Sequence, residues 1–173
     1  LFVLPHTGIN RALRISVLDA LPPEVATVEV TIGDHFAPAR KGGAYRVSVT
    51  DAKTQFFLIF FHARDQWLRS QLPTGQKRVI SGKIEVFDNV VQMVHPGHMV
   101  LPQEANDIPQ YEPVYPLTAG ITQKTMFKAA GAAVNRAPDL EEWIDPSLMH
   151  QEGWPHWKEA LLAAHHPSKD ADL

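Results

Sequence analysis

Aromatic and basic side chains occur together in the first half of the chain, in a combination suited to binding nucleic acid. Cations bind phosphates, and aromatic rings stack on bases, each stacked base contributing about 1 to 3 kcal/mol. The aromatic candidates are Tyr45, Phe61, Trp67 and Phe87. The cationic candidates are Arg40, Lys41, Arg46, Arg64, Arg69, Lys77, Arg78 and Lys83. Each basic residue alone is typical of a solvated surface, but together on a net-positive half they favour a polyanionic ligand.

Residues arranged for catalysis or metal binding are not visible in the sequence. The Gly42-Gly43 pair lacks the spacing and the following helix of a phosphate-binding loop, and no serine has an activating neighbour. Nine histidines raise the question of a metal site. However, Pro96-Gly97 predicts a turn between His95 and His98, and no segment pairs two histidines at helical spacing with a carboxylate. We predict no catalytic residues, cofactor or metal in this chain, and structural or surface roles for the histidines.

Length and composition limit the class of protein. The 173 residues allow one domain with a helical extension or two small domains. There is no cysteine, and no run reaches about 18 apolar residues, so we expect no disulfide and no membrane span. The chain begins with Leu1 inside an apolar phrase, which suggests a piece of a longer protein. We expect a soluble, cytoplasmic protein.

The net charge of −3 is unevenly distributed along the chain. Residues 1–102 hold 11 Lys and Arg against 8 Asp and Glu, whereas residues 103–173 hold 5 against 11. The first part therefore has a net charge of +3 and the second of −6. We expect the first part to bind a polyanion and the second to dock on protein.

The most apolar stretch, from Gln55 to Trp67, is central to the first part. It holds four of the eight Phe residues within six positions. This predicts a buried strand over 55–61, followed by a short helix over 62–72 that ends before Pro73. Period two places Phe56, Leu58 and Phe60 on one face and Phe57, Ile59 and Phe61 on the other. The sequence leaves open which set faces the core, and whether Trp67 packs or offers a stacking surface.

Four more segments show strand patterns. Alternation over Val25–Ile32 and over Ala44–Thr50 predicts a hairpin whose basic connection is Gly33–Gly43. Lys77–Val86 and Val90–Val94 are further strands, and Gly82 inside the first of them marks a bulge or a close backbone approach. A helix between the third and fourth of five strands is typical of an OB fold. We therefore predict a mainly β protein with a five-stranded Greek-key OB-fold barrel; a β-sandwich is the rival, but would not need that helix.

Beyond Pro102 the pattern becomes acidic, rich in proline and helical. Thr122 is a candidate N-cap for a helix over Gln123–Asn135, which Pro138 prevents from continuing. Shorter helical segments are predicted at residues 140–144, 146–150 and 155–165. The predicted organisation is a lead-in segment at residues 1–19, an OB-fold domain at 20–102, and a helical connector with short helices at 103–173.

Several phrases of the sequence resemble the wedge domain and following connector of the RecG family of ATP-dependent DNA helicases. They are Leu4-Pro5-His6-Thr7-Gly8-Ile9, Phe60-Phe61-His62, Met93-Val94-His95-Pro96, the phrase from Pro113 to Thr125, and the phrase from Glu159 to Pro167. Val114-Tyr115-Pro116 through Gln123-Lys124-Thr125 is the most specific. One departure is His166, which stands where the family usually has Arg.

The resemblance implies an OB-fold wedge that binds branched DNA, including stalled replication forks and Holliday junctions, in repair and recombination in the bacterial cytoplasm or nucleoid. In such wedges exposed aromatics stack on bases at the branch point, and the matching positions here are Phe61 and Trp67. The parent helicase would hydrolyse ATP with Mg²⁺ in motor domains outside this chain. The connector would dock on those motor domains, and no membrane partner is implied.

Two alternatives remain open from the sequence. OB barrels also bind peptides and protein subunits, so a protein-interaction module without nucleic-acid binding is possible. A single-strand RNA binder is the other. Salt dependence distinguishes the first from DNA binding, because phosphate contacts make affinity fall steeply with ionic strength.

Overall fold

The computed structural model describes residues 3–40 and 42–166. The chain divides into two compact units. The barrel unit is Arg11–Gln110, and the helical unit combines residues 3–10 with residues 111–166 of the described part. These boundaries differ from the predicted ones, because residues 11–19 and 103–110 belong to the barrel unit.

The described residues form nine strands and four α-helices, joined by turns and loops. The strands are β1 (Thr7–Asn10), β2 (Leu13–Arg14), β3 (Val25–Phe36), β4 (Tyr45–Thr50), β5 (Gln55–Phe60), β6 (Lys77–Phe87), β7 (Val90–Val94), β8 (His98–Val100) and β9 (Tyr111–Val114). The helices are α1 (Asp65–Gln71), α2 (Gln123–Asn135), α3 (Pro146–Glu152) and α4 (Trp157–His165). The described residues also form two short 3-10 helices, Val17–Asp19 and Pro102–Asp107.

Five of these strands form the predicted OB-type barrel. Strand pairing runs from β3 to β4, β5, β7 and β6, and β6 pairs again with β3. The β5–β7 pair is parallel, whereas the other four pairs are antiparallel. Helix α1 lies in the chain between the third and fourth barrel strands, as predicted for an OB fold. Strands β2 and β8, which the sequence did not predict, extend the sheet beside β3 and β6.

The barrel core is lined by one face of each strand. In β5 the buried set is Phe56, Leu58 and Phe60, which answers the question that the sequence left open. Period two puts Phe57 and Phe61 on the other face, where Phe57 is partly buried and Phe61 is exposed. Ile59, on the same face, is nevertheless buried, so this outer face is not uniformly solvated.

Gly82 confirms the predicted close approach of backbones. A Cβ atom at this position would lie 2.7 Å from Met93 Sδ and 2.9 Å from Pro96 Cα. Those residues belong to β7 and to the turn after it, so the absence of a side chain lets β6 approach them closely.

Strand β3 is longer than the predicted strand. It continues through Gly33 to Phe36, in the segment interpreted as part of a basic turn. The register with β4 shifts between Ile32 and His35, so a bulge lets the strand bend and carry on. The connection to β4 is therefore limited to residues 37–44, and Phe36 belongs to the sheet.

The helical unit contains the β1–β9 pair and helices α2 to α4. Helix α2 begins and ends where the sequence predicted, and Thr122 accepts a hydrogen bond from the Thr125 amide as its N-cap. Tyr115 is buried and its ring stacks on the buried His165, with the hydroxyl 2.8 Å from Nδ1. Burial lowers the pKa of the His165 imidazole.

The predicted helix at residues 140–144 is wrong. This segment has no helical structure, because the Glu142 carboxylate accepts hydrogen bonds from the Trp143 and Trp157 amides. A carboxylate that binds nearby backbone amides competes with helix formation. Asp145 precedes Pro146, a position that disfavours helical backbone. No helix among residues 3–40 and 42–166 is long and apolar enough to span a membrane.

Candidate nucleic-acid interface

A groove on the outer face of the barrel unit brings together many of the predicted binding residues. Its volume is about 750 Å³. It is lined by residues of the β3–β4 connection and by outward side chains of β4, β5, β6 and β7. In OB folds, the face of the second and third strands and the loops after the first and fourth strands bind oligonucleotides. The groove occupies the equivalent position in this barrel, and we call it the outer groove.

Three exposed phenylalanines line the outer groove: Phe36, Phe61 and Phe87. Phe61 is 43% exposed and Phe87 is 64% exposed, which is unusual for rings of this size. Phe36 also contacts the partly buried Phe57, with ring centroids 6.1 Å apart in an edge-to-face arrangement. Exposed aromatic rings on several strands of one face are a suitable platform for stacking planar bases.

The position of Phe61 is fixed by His95. The Phe61 amide donates a hydrogen bond to His95 Nε2 at 3.1 Å, and the two rings lie 5.7 Å apart. In turn, the His95 amide donates to the Ile59 carbonyl at 2.9 Å. His62 and His95 both have positive φ, at 57° and 44°, a conformation that costs energy for residues other than glycine. The end of β5 is therefore held in a defined turn with the Phe61 ring outward.

Two of the predicted cations, Arg40 and Arg46, line the outer groove. The Arg46 guanidinium carbon lies 5.8 Å from the centre of the Phe57 ring, a cation–π distance that holds the side chain along the sheet. Glu85 is an acidic residue of the same groove and reduces its local positive charge. Lys41, also predicted to bind, lies outside the described residues.

The other predicted cations lie elsewhere in the barrel unit. Arg64, Arg69, Lys77 and Lys83 are exposed, and none of them lines the outer groove. Arg69 is bound to Asp65 at 3.0 Å and Lys77 to Glu29 at 2.6 Å.

The position of Arg78 contradicts its predicted role as a cation that binds the ligand. It is only 8% exposed, and its guanidinium donates to the Gln71 and Lys77 carbonyls and to Gln76. Because its donors are used inside the fold, Arg78 stabilises the connection between α1 and β6 instead of offering charge to a ligand.

Two predicted aromatics lie outside the outer groove. Trp67 is 48% exposed on α1, so it offers a ring to solvent at a different place on the barrel unit. Tyr45 is buried, and its hydroxyl donates to Asp65 Oδ1 at 2.6 Å, which excludes it as a stacking surface. Burial, followed by the hydrogen bond to Asp65, raises the pKa of Tyr45 to about 12. The prediction of Tyr45 as a base-stacking candidate is therefore wrong.

The groove residues that sequence reasoning missed include Phe36, Glu85, Gln92 and Val94. Phe36 was hidden because the bulge in β3 extends the strand past the alternating pattern. Gln92 and Val94 lie two residues apart on β7, so the period-two pattern alone would have placed them on the same face of the sheet. Among residues 3–40 and 42–166, no group of three His, Cys, Asp or Glu residues is arranged to hold a metal ion.

Comparisons with known proteins bear on this fold. No protein-family model matches the sequence, and no curated protein matches it. Among solved structures, RecG bound to a three-way DNA junction matches over 96% of this chain, with a TM-score of 0.72 and 19% sequence identity. This chain has a fold similar to that of a segment of RecG. It spans 23% of the length of that RecG chain.

The resemblance to RecG that the sequence phrases indicate is thus confirmed at the level of the fold. One chain from a structure of a replication protein A heterotrimer bound to single-stranded DNA matches 56% of this chain and 86% of its own length, with 17% identity and a TM-score of 0.40. An OB domain from Thermoplasma acidophilum matches 64% of this chain and 92% of its own, with 11% identity and a TM-score of 0.37. Both of these likenesses are too weak to bear on function.

Proposed function

We propose that this chain is a nucleic-acid-binding OB-fold domain that binds DNA in the outer groove. The observation that carries the proposal is the meeting of three exposed Phe rings and two Arg side chains in one groove on the ligand-binding face of an OB barrel. Rings stack on bases whatever their sequence, and guanidinium groups bind phosphates. The groove therefore suits single-stranded or unpaired nucleotides better than the closed surface of a duplex.

The finer proposal is that the DNA is branched. RecG has been solved on a three-way junction, and this chain shares the fold of a segment of it. By this proposal the domain is the wedge of an ATP-dependent helicase that splits duplex arms at replication forks and Holliday junctions during repair and recombination. Unpaired ends at the branch would stack on Phe61, at the exit of β5, and on Trp67, at the start of α1.

The proposal places the ATP- and Mg²⁺-dependent steps outside this chain. The sequence has no glycine-rich phosphate loop, and the outer groove offers no acidic pair for Mg²⁺. Residues 111–166 would connect the barrel unit to the motor domains of the parent helicase, which would act in the cytoplasm.

The test is a titration of the full 173-residue chain with labelled three-way junction, single strand and duplex, followed by fluorescence anisotropy. Binding is measured at about 50 mM and about 200 mM NaCl, because phosphate contacts lower affinity as salt rises. We expect the junction to bind tightest and duplex weakest. Phe61→Ala should weaken junction binding about tenfold or more, the effect of losing one stacked base, and duplex binding much less.

Val86→Ala is the matched control for Phe87→Ala. Val86 is also exposed and adjacent in β6, but it does not line the outer groove. Phe87→Ala should weaken junction binding and Val86→Ala should not. Trp67→Ala, tested separately, shows whether α1 contributes to branch recognition. Equal losses on junction and duplex, or unchanged affinity in Phe61→Ala, would contradict the proposal.

A protein-interaction module is the second candidate function. It is favoured by the apolar lining of the outer groove, where Ala37-Pro38-Ala39 and Val94 accompany the phenylalanines. A peptide held mainly by apolar contacts would show little dependence on salt, whereas DNA affinity would fall steeply. Nucleic-acid binding that is undetectable at either salt concentration would favour this second function.

A further inference from the structure

The helical unit contains another concave site, whose charge and lining residues differ from those of the outer groove. Its volume is about 430 Å³, and it is lined by Glu142, Pro146, Met149, His150, Trp154 and His156. Met149 is buried, whereas Trp154 is 49% exposed and forms an open aromatic wall. We call this site the Trp154 pocket.

The Trp154 pocket is built by defined backbone contacts. Helix α3 ends at Glu152 and is capped by Gly153, whose φ of 67° is left-handed. The Trp154 amide then donates to the Met149 carbonyl at 3.0 Å, which fixes the start of the segment that carries the indole. A pocket whose wall is set by such a helix-ending motif needs little rearrangement to accept a ligand.

Glu142 supplies the charge of the pocket. Its carboxylate accepts hydrogen bonds from the Trp157 amide at 3.0 Å and the Trp143 amide at 3.1 Å. The hydrogen bond from Trp157, ahead of the effect of burial, lowers the pKa of Glu142. The carboxylate is therefore ionised at neutral pH and is held at the N-terminus of α4. His156 Nδ1 lies 3.7 Å from it.

The surroundings of the pocket are strongly acidic. Residues 139–159 hold six Asp and Glu against one Lys, a net charge of −5 without the histidines. Glu141, Asp145 and Glu152 are exposed in this segment. A surface of this charge repels nucleic acid and attracts cations.

Exposed aromatic area accompanies that charge. Trp143, next to Glu142, is 86% exposed, and Leu148 on α3 is also exposed. Isolated apolar side chains are common on surfaces, but an exposed tryptophan in the pocket wall and a second one next in the chain to the pocket residue Glu142 are of the kind that marks a binding site. Tryptophan is the strongest partner for a cation placed over an aromatic face.

We propose that the Trp154 pocket binds an Arg or Lys side chain of a basic segment in a partner polypeptide. The cationic head would lie over the Trp154 ring and beside the Glu142 carboxylate, while neighbouring apolar residues of the segment would cover Trp143 and Leu148. The pocket has room for one long side chain, and the apolar area around it suits a polypeptide better than a free small cation. The proposal does not rest on DNA binding in the outer groove.

The probe is a capped nonapeptide of three Arg-Leu-Gly repeats, titrated into the full 173-residue chain at about pH 8, at which free imidazole is uncharged. The indole N–H resonances of the four tryptophans are followed by NMR. We expect the Trp154 indole resonance to shift. The same peptide with citrulline in place of arginine keeps the shape and removes the charge, and it should bind at least tenfold more weakly.

Two variants separate the pocket from general effects. Trp154→Ala should weaken binding of the arginine peptide about tenfold, in line with loss of a cation–π contact. Trp67→Ala removes a ring of nearly equal exposure, 48%, from the barrel unit and should leave peptide affinity within about twofold.

A third variant does not depend on the packing of Trp154. Glu141→Gln combined with Glu152→Gln removes two exposed charges, so it should keep the fold, weaken the arginine peptide severalfold and flatten the salt dependence. Equal binding of the citrulline peptide, unchanged affinity in Trp154→Ala, or no shift of the Trp154 resonance at millimolar peptide would overturn the proposal. Junction binding by Trp154→Ala should equal that of the unmodified chain, so failure here is distinguishable from failure of the proposed DNA binding.

Discussion

Asp51 shows at the scale of single residues how a buried charge can stabilise this fold. Its carboxylate accepts hydrogen bonds from the Ser16 hydroxyl at 2.9 Å, and from the Val17, Lys53 and Thr54 amides, each at 2.8 Å. Burial alone would raise the pKa of Asp51, but these hydrogen bonds together outweigh it, and the pKa is lowered. One side chain therefore links the segment before β3 to the turn between β4 and β5.

We predict that Asp51→Asn lowers the free energy of unfolding by about 2 to 3 kcal/mol at neutral pH, because charged hydrogen bonds are lost in a buried place. Since the folded-state pKa of Asp51 is below the unfolded value, its contribution is fully present above the unfolded pKa. It is lost as pH falls through the folded pKa. Urea unfolding at neutral and acidic pH should show the difference between the two proteins shrinking in acid.

Asp34→Asn is the control for this prediction, because Asp34 is an exposed carboxylate on β3. Its substitution should change the free energy of unfolding by less than about 0.5 kcal/mol. A constant difference between the Asp51→Asn protein and the unmodified chain at all pH values would show that charge is not the cause.

Gly82 supports a second prediction at the residue scale. Gly82→Ala would place a methyl group 2.7 Å from Met93 Sδ, inside the barrel core. Overpacking of this kind costs about 1 to 3 kcal/mol, so the melting temperature should fall. Gly131→Ala is the matched control: its Cβ would meet nothing within 4 Å on α2, and better helix propensity should raise stability by up to about 1 kcal/mol. Equal effects of the two substitutions would contradict the packing argument.

At the scale of elements, the strands with clean alternation were predictable, because one buried face imposes period two on the sequence. Ala26, Val28, Val30 and Ile32 are buried as the pattern of β3 predicted. Its extension to Phe36 was not predictable, since the bulge there interrupts the alternation. The short strands β1, β2, β8 and β9 have two to four residues, too few for any period to show.

The candidate site was predictable only in part, because it combines residues from strands that are far apart in sequence. Phe61 could be found because it ends an aromatic strand, and Arg46 because it faces outward on an alternating strand. Their meeting with Phe36, Phe87 and Gln92 depends on strands far apart in sequence, which only the closed pairing brings together. Arg78 was misjudged because sequence does not reveal that its guanidinium binds the Gln71 carbonyl at the end of α1 and the Lys77 carbonyl at the start of β6.

Helix α1 is short, and its stability depends on contacts with the barrel. Leu68 and Leu72 are fully buried, and Asp65 accepts hydrogen bonds from Tyr45 at 2.6 Å and from Arg69 at 3.0 Å. His35 also lies 3.1 Å from the Tyr45 hydroxyl. A helix of seven residues is marginal by itself, so these tertiary contacts hold it in place.

We therefore predict that Tyr45→Phe loosens α1 without unfolding the barrel. The ring would still fill its place in the core, while the hydrogen bond to Asp65 would be lost. Amide hydrogen exchange of Leu68 and Leu72 should become about tenfold faster, and exchange in β4 and β5 should change little. Arg69→Ala, which removes an exposed ion pair, should have a smaller effect on the same amides. Uniform acceleration across the barrel would instead indicate global destabilisation.

At the scale of the whole chain, the structural boundary changes the meaning of the charge asymmetry. The cut at Pro102 assigned a net charge of +3 to the first part, but Glu104 and Asp107 belong to the barrel unit. Residues 11–110 hold 11 basic and 10 acidic residues, a net charge of +1, and the rest of the chain has −4. By the proposed function, affinity for DNA would therefore come from the local arrangement in the outer groove more than from overall charge.

The ends of the barrel unit lie side by side. The Arg11 amide donates to the Gln110 carbonyl at 2.7 Å, so the chain enters and leaves this unit at one place. The buried core cluster from Val17 to Met93 also lies within this unit, and a compact unit with its own core and adjacent termini is typical of a domain that can fold alone. We predict that a protein of residues 11–110 folds cooperatively, with NMR amide shifts in the barrel like those of the full chain.

Removal of the acidic remainder should also strengthen DNA binding at low salt. The fragment of residues 11–110 loses a net charge of −4, so repulsion of phosphate falls while the outer groove is unchanged. At about 50 mM NaCl we expect severalfold tighter binding to the three-way junction than the full chain shows, and at about 200 mM NaCl near-equal affinities, because salt screens distant charges. A folded fragment that binds the junction more weakly than the full chain at low salt would mean that the helical unit contributes DNA contacts of its own. That result would contradict the assignment of DNA binding to the barrel unit alone.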